Sequence, residues 1–111
     1  MSKIKPILPS LREKKRYIVF EVVANKKFNF NTVAEKIQEQ NLKFLGELGC
    51  AKAGAFILDT YKNNKGIIRV NNKYVDEVKS ALTLIEDIDN QKVIVKTIYV
   101  SGLLRKAKEK F

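Results

Sequence analysis

The chain has 111 residues, 45% of them apolar and 31% charged, with 22 Lys and Arg against 12 Asp and Glu and a net charge of +10. That length and apolar content fit one globular domain able to bury a core without disulfides or metals, and they argue against a disordered chain. There is no His and a single Cys, Cys50, which excludes an internal disulfide, a zinc site and a His-based catalytic triad. Cys50 is read as a small packed residue, because no His is present to activate it.

No apolar run approaches the ~20 residues that cross a membrane. Pro6, Pro9 and interspersed charges break up the start "MSKIKPILPSLREKK", so it lacks a signal-peptide core. The expected compartment is the cytoplasm, with no membrane partner. The position of the charge matters more than its size. Lys3, Lys5, Arg12, Lys14, Lys15 and Arg16 against Glu13 give residues 1–16 a net of +5. Arg105, Lys106, Lys108 and Lys110 against Glu109 give residues 105–111 a net of +3, which leaves only +2 for everything between. A basic excess gathered at the two ends is an electrostatic footprint for a polyanion, although charge runs also serve simply to face water.

In chain order, "MSKIKPILPS" has two prolines and no period, and reads as an extended arm over residues 1–10 ahead of one domain over 11–111. "RYIVFEVV" is β-branched and aromatic, and predicts a buried strand. "NKKFNFN" has turn chemistry. A helix follows, with Thr32 and Glu35 at capping-box spacing and Val33, Ile37, Phe44, Ala34 and Leu48 as its buried stripe. Gly46 and Gly49 predict a helix end, then a short second helix or a loop. "AFILDTY" and "GIIRVN" are strands joined through a "KNNKG" hairpin turn. "NKYVDEVKSALTLIED" is helical, with Tyr74 or Val75, Val78, Ala81, Leu82 and Ile85 on one face and Asp76 and Glu77 in the first turn, where the helix dipole favours them. "DNQK" is a turn and "KVIVKTIYV" a strand. Gly102 permits a sharp change of direction, and "LLRKAKEKF" predicts a short amphipathic helix.

The order β-α-β-β-α-β is the split βαβ arrangement. The expected fold is α+β and ferredoxin-like, similar to an RNA-recognition motif, with a four-stranded antiparallel sheet in spatial order 4-1-3-2, helices on one face and a C-terminal helix. Antiparallel pairing of the first and last strands brings the start of one beside the end of the other, so the two basic segments meet at one end of the sheet. Alternation sends Ile18, Phe20 and Val22 toward the helices and leaves Tyr17, Val19 and Glu21 on the open face. In the third strand, Ile68 and Val70 point inward, with Ile67 and Arg69 outward. Tyr17, Val19 and Ile67 are therefore candidates for a half-apolar partner face, part of which the C-terminal helix is also able to cover.

No catalytic or metal constellation stands out. Asp76 with Glu77, and Glu86 with Asp87 and Asp89, flank the second helix as dipole partners and solvated ends. Gly46, Gly49 and Gly54 match neither a dinucleotide fingerprint nor a phosphate-binding loop. The central strands offer only Tyr17 for stacking on an exposed base, so binding through phosphate contacts and shape, suited to folded RNA, is expected instead. The candidate RNA contacts are Arg12, Lys14, Lys15, Arg16, Arg69, Arg105, Lys106 and Lys108, with the loop lysines Lys26, Lys27, Lys62 and Lys65.

Taken together and in order, "LREKKRYIVFEV", "LGELGCAKAGAFI", "KGIIRVNNKYVDEVKSALTLI" and "VSGLLRKAKEKF" resemble the archaeal ribonuclease P protein component 2 family, related to a eukaryotic subunit of ribonucleases P and MRP. Leu103 departs from the pattern, which leads one to expect Thr after the Ser-Gly. The resemblance implies a non-catalytic RNA-binding subunit of a ribonucleoprotein. In that particle the RNA acts as the endonuclease, a magnesium-dependent hydrolase that removes the 5′ leader in tRNA processing. It further implies ribonuclease P RNA and protein component 3 as partners, a heterotetramer with two copies of each protein, and indirect contact with precursor tRNA. No cofactor is expected on this chain. Two other readings stay open, a ferredoxin-like small-ligand regulatory domain or enzyme, and a protein-assembly module whose charge is incidental.

Overall fold

The β-branched and aromatic run from Tyr17 to Val23, interrupted only by Glu21, makes most of β1 (Lys15–Val23), which lies in the middle of the sheet. The computed structural model describes residues 14–111, so the expected arm over residues 1–10 and the candidate Arg12 lie outside the described residues. β1 pairs antiparallel with β3 (Lys65–Asn71) on one side and β6 (Ile94–Ser101) on the other, and the short β2 (Phe56–Ile57) pairs with β3. The order β2-β3-β1-β6 is the expected 4-1-3-2, with β6 as the fourth strand of the sheet. Ile18, Phe20 and Val22 are buried against α1 (Phe30–Ala53) and α2 (Val75–Thr83), together with Val33, Ile37, Val78 and Leu82.

Several local expectations change. The first helix begins at Phe30, capped by Asn29, whose Oδ1 accepts from the Thr32 N–H at 2.8 Å. Thr32 and Glu35 are therefore inside the helix and form no capping box. Gly46 takes φ +75° and ψ 172°, breaking the helix as expected before it resumes to Ala53. Two residues of the expected stripe are not buried: Phe44, just before the break, and Leu48, after it, are 44% and 68% exposed. Gly54, at φ +58°, ends the helix with its N–H on the Cys50 carbonyl at 3.0 Å. The segment "DNQK" is a miniature hairpin between β4 (Asp87–Ile88) and β5 (Gln91–Lys92), turning on Asp89 and Asn90, both at positive φ.

The hairpin before β3 is a two-residue turn. Lys62 and Lys65 exchange backbone bonds of 2.9 and 3.0 Å around Asn63 and Asn64, at φ +54° and +62°, the geometry that matches strand twist. Asn64 is buried and does more than turn the chain. Its Oδ1 accepts from the Phe28 N–H (2.8 Å) and the Tyr61 hydroxyl (3.0 Å), and its Nδ2 donates to the Lys26 carbonyl (2.9 Å). It thereby ties the loop after β1 to the β2–β3 hairpin. Burial pushes the Tyr61 phenol above its usual range, so the hydroxyl stays a donor even into alkaline pH. Gly66 belongs to β3 and not to the turn. A Cβ there would stand 2.7 Å from Phe20 Cζ, so the glycine makes room for the central aromatic of the core.

The opposite face of the sheet is not open. β6 carries one extra residue, Ile98, between the pairs Val19↔Tyr99 and Phe20↔Thr97. This bulge puts Tyr99 on the face away from α1 and α2, where strict alternation from Val95 would have sent it toward them. The short α3 (Leu104–Lys108) folds back over that face and seats Ala107 and Leu104 on Val19, Ile67, Tyr17 and Tyr99.

Asn64→Gly retains the turn's positive φ but removes three side-chain bonds, and it is expected to lower unfolding free energy by about 2–3 kcal/mol. Gly66→Ala is expected to cost about 1–3 kcal/mol through overpacking against Phe20. Urea denaturation monitored by far-UV circular dichroism checks both.

Candidate nucleic-acid interface

The sheet has two ends, and each gathers cations. At the end where β1 starts and β6 finishes, Tyr17 pairs with both Arg69 and Ser101, so the two basic termini meet as their antiparallel order requires. The Lys15 ammonium bonds the Asn71 side chain, and Asn71 Nδ2 donates to the Lys52 carbonyl at 2.6 Å. Arg16 Nε donates to Asn72 Oδ1 at 3.1 Å, while the Asn72 N–H bonds the Lys14 carbonyl at 2.7 Å. The Arg16 guanidinium lies directly against Gly102. Gly102 is therefore not there for a left-handed φ, which among the described glycines only Gly46 and Gly54 adopt. It leaves the space a guanidinium fills.

From this corner the chain enters α3. Leu103 occupies the cap position without a side-chain bond of its own, and Ser101 Oγ accepts the Leu103 N–H at 3.0 Å. That bond fixes the turn into α3, while the first-turn N–H groups of the helix have no side-chain cap. Arg105, Lys106 and Lys108 are exposed while Ala107 is fully buried, so α3 is held by its apolar side and presents its cations outward. Arg69 lies with its guanidinium 5.4 Å from the Phe56 ring centre. Lys52 and Lys73 are exposed at this same end, and sequence reasoning missed them because neither falls in a charge run. The available signal was Asn71-Asn72: polar side chains at the end of a strand otherwise apolar, which here orient Lys15 and Arg16.

Lys26, Lys27, Lys62 and Lys65 are not part of this corner. They gather around the β1–α1 loop and the β2–β3 turn at the other end of the sheet, with Lys27 Nζ on Asn63 Oδ1 at 3.2 Å. The expected partner face changes as well. Val19 and Ile67 have no exposed surface, and Tyr17 is half-buried beside them, because α3 occupies that face. Tyr99 beneath it has the Lys110 ammonium 4.9 Å from its ring centre. With α3 in place, Tyr17 and Tyr99 present no free platform for a stacked base.

What this arrangement can do chemically is hold phosphate groups. Among the described residues no group of three or more Cys, Asp or Glu side chains converges as a metal site. The acidic depression lined by Glu35, Glu39, Asp89 and Lys36 is partly neutralised: Lys36 Nζ lies 3.7 Å from Glu39 and 3.8 Å from Asp87. No described helix is long and apolar enough to cross a membrane.

Fold and charge together define a basic α+β protein of ferredoxin-like architecture. The chain belongs to the Rpp14/Pop5 family, whose sequence profile matches residues 16–111. It is 43% identical over 110 residues to ribonuclease P protein component 2 of Thermococcus gammatolerans, covering 98% of this chain and 92% of that one. It is 41% identical over 108 residues to the Pyrococcus furiosus protein of that name, covering 96% and 90%, and 34% identical to the one from Archaeoglobus fulgidus, covering 97% of each. A chain in the cryo-EM structure of yeast ribonuclease MRP has the same fold, with a TM-score of 0.56 and 15% identity over 89% of this chain and 92% of that one.

Ala107→Asp places a carboxylate where no solvent reaches, and is expected to unseat α3 and lower stability by about 1–3 kcal/mol. The exposed Val19, Ile67 and Tyr99 should then bind the dye ANS while the far-UV spectrum keeps its sheet signal.

Proposed function

We propose that this chain is a protein subunit of ribonuclease P, binding the enzyme's RNA and stabilising the shape in which that RNA removes the 5′ leader of precursor tRNA. The observation that carries the reading is 43% identity, along 98% of the chain, to a protein named ribonuclease P component 2. The basic corner supports it physically. Lys14, Lys15, Arg16, Lys52, Lys73, Arg105 and Lys106 come together from separate parts of the chain. Such a surface displaces the counterions condensed on a phosphate backbone, and their release drives association. Neutralising close-packed RNA phosphates also reduces the magnesium the RNA needs to reach its active shape. The magnesium of the reaction belongs to the RNA in this reading, and the protein contributes charge and position.

Protein component 3, in a heterotetramer with two copies of each protein, and a cytoplasmic setting are part of the same proposal. With Val19 and Ile67 covered, the large apolar side chains left exposed include Leu42, Phe44 and Leu48 of α1, at 48%, 44% and 68% exposure. The exposed apolar residues of α1, and not Val19 and Ile67, are where component 3 is assigned.

RNA affinity is expected to fall with salt at a log–log slope of roughly −3 to −5, as for ~4–6 neutralised phosphates. Replacing Lys14, Lys15, Arg16, Arg105 and Lys106 with Gln should flatten that slope and raise the magnesium needed for leader cleavage in the reconstituted particle, with the circular dichroism spectrum unchanged. A wild-type affinity indifferent to salt would sink the electrostatic mechanism, and unchanged cleavage would remove this corner as the RNA site.

A further inference from the structure

The four lysines at the far end of the sheet have a construction of their own. Lys26 and Lys27 belong to the loop after β1, and Lys62 and Lys65 bracket the Asn63–Asn64 turn. Asn64 locks the two loops together through Phe28, Tyr61 and Lys26, and the Val22 N–H adds a 2.7 Å bond to its carbonyl. Lys27 and Asn63 are bonded across the gap. The carboxylate facing this group is Glu21, opposite Lys65 in the ladder, and it is engaged by Lys96 at 3.9 Å. The cations therefore project from a fixed base, and the carboxylate opposite Lys65 in the ladder is already paired.

The two ends are joined by β1. Its eight steps from Lys15 to Val23 rise about 3.3 Å each, so the ends stand about 26 Å apart. The surface between them is not a continuous track for phosphates. It holds Glu21 paired with Lys96 toward the far end, Glu109 between the exposed Lys108 and Lys110, and the exposed apolar Ile98 and Phe111 beside α3. A backbone followed from one end to the other would cross alternating charges and hydrocarbon rather than an unbroken row of cations.

From this geometry we infer that the Lys26–Lys27 loop and the Lys62–Lys65 turn form a second RNA-phosphate site, separate from the basic corner, and that the protein bridges two segments of the RNA. The inference rests on the RNA-binding reading above and adds to it a division of labour. Each end holds one stretch of phosphate backbone, and the rigid sheet sets the spacing between them. The second site reads charge and shape and carries no means of reading bases. Its preformed loops reduce the ordering cost of binding.

The test uses the particle reconstituted with the ribonuclease P RNA and protein partner. In a Cys50→Ser background, Lys106→Cys and Lys62→Cys each carry a tethered iron–EDTA probe that cleaves RNA nearby. The expected result is cleavage by both, in two RNA segments that are not contiguous. In parallel, Lys26→Gln, Lys27→Gln, Lys62→Gln and Lys65→Gln combined should reduce the magnitude of the salt slope by about 1 to 2, the share of the total that a second site would carry beside the corner, with the thermal midpoint retained. Cleavage of one shared segment by both probes overturns the bridge. Cleavage from Lys106→Cys alone, with an unchanged slope in the fourfold variant, overturns the second site and leaves the RNA-binding function standing. No cleavage from either probe, with salt-insensitive affinity, overturns that function and the bridge with it.

Discussion

Everything in this fold hangs on the double pairing of β1. A central strand has its backbone groups satisfied on both edges, and its side chains are enclosed on both faces once helices cover the sheet. Ile18, Phe20 and Val22 close one face against α1 and α2, and Val19 anchors the other beneath α3. Such a strand has no room for uncompensated charge along its middle, where desolvating a lysine would be costly. Glu21, toward its far end, is only partly buried and paired with Lys96. The cations consequently sit at the strand's two ends, and the physical rule that builds the core also sorts the charge.

The bulge at Ile98 decides what the second face becomes. By shifting the register between Val19 and Phe20 it turns Tyr99 away from α1 and α2 and gives α3 an aromatic and aliphatic seat. A helix as short as Leu104–Lys108 cannot hold itself in water. It exists here because Ala107 and Leu104 are packed. The cover has a functional consequence. With Tyr17 and Tyr99 packed beneath α3, the proposed RNA contact rests on the charged rim rather than on base stacking, and its affinity would depend on salt and on the shape of the phosphate backbone.

Asparagines and one serine do much of the positioning. Asn64 clamps the two loops at one end, while Asn71 and Asn72 hold Lys15 and Arg16 at the other and Ser101 fixes the turn before α3. These side chains carry no charge and attract little notice in a sequence dominated by lysine. They matter because a flexible cation loses rotamer entropy when it binds, and one already held by a neutral acceptor loses less. Gly66 and Gly102 act in the same way by omission, one yielding space to Phe20 and the other to Arg16.

Much of this was legible in the chain itself. The β-branched run at Tyr17–Val23, the helical spacing of Val78, Ala81, Leu82 and Ile85, and the order of elements specify the sheet and its strand order, because burial periodicity and chain connectivity leave few alternatives. The meeting of the two basic termini followed from antiparallel order alone. What only the tertiary structure decided was relational. The cap at Asn29 outcompeted Thr32, the bulge re-aimed Tyr99, α3 enclosed Val19 and Ile67, and the four loop lysines separated from the corner that the termini form. Each depends on which side chain meets which across segments distant in sequence, and local propensity carries no record of that. The sequence by itself determined that the surface would be strongly basic. The packing of α3 and the length of β1 determined that the basic surface has two ends.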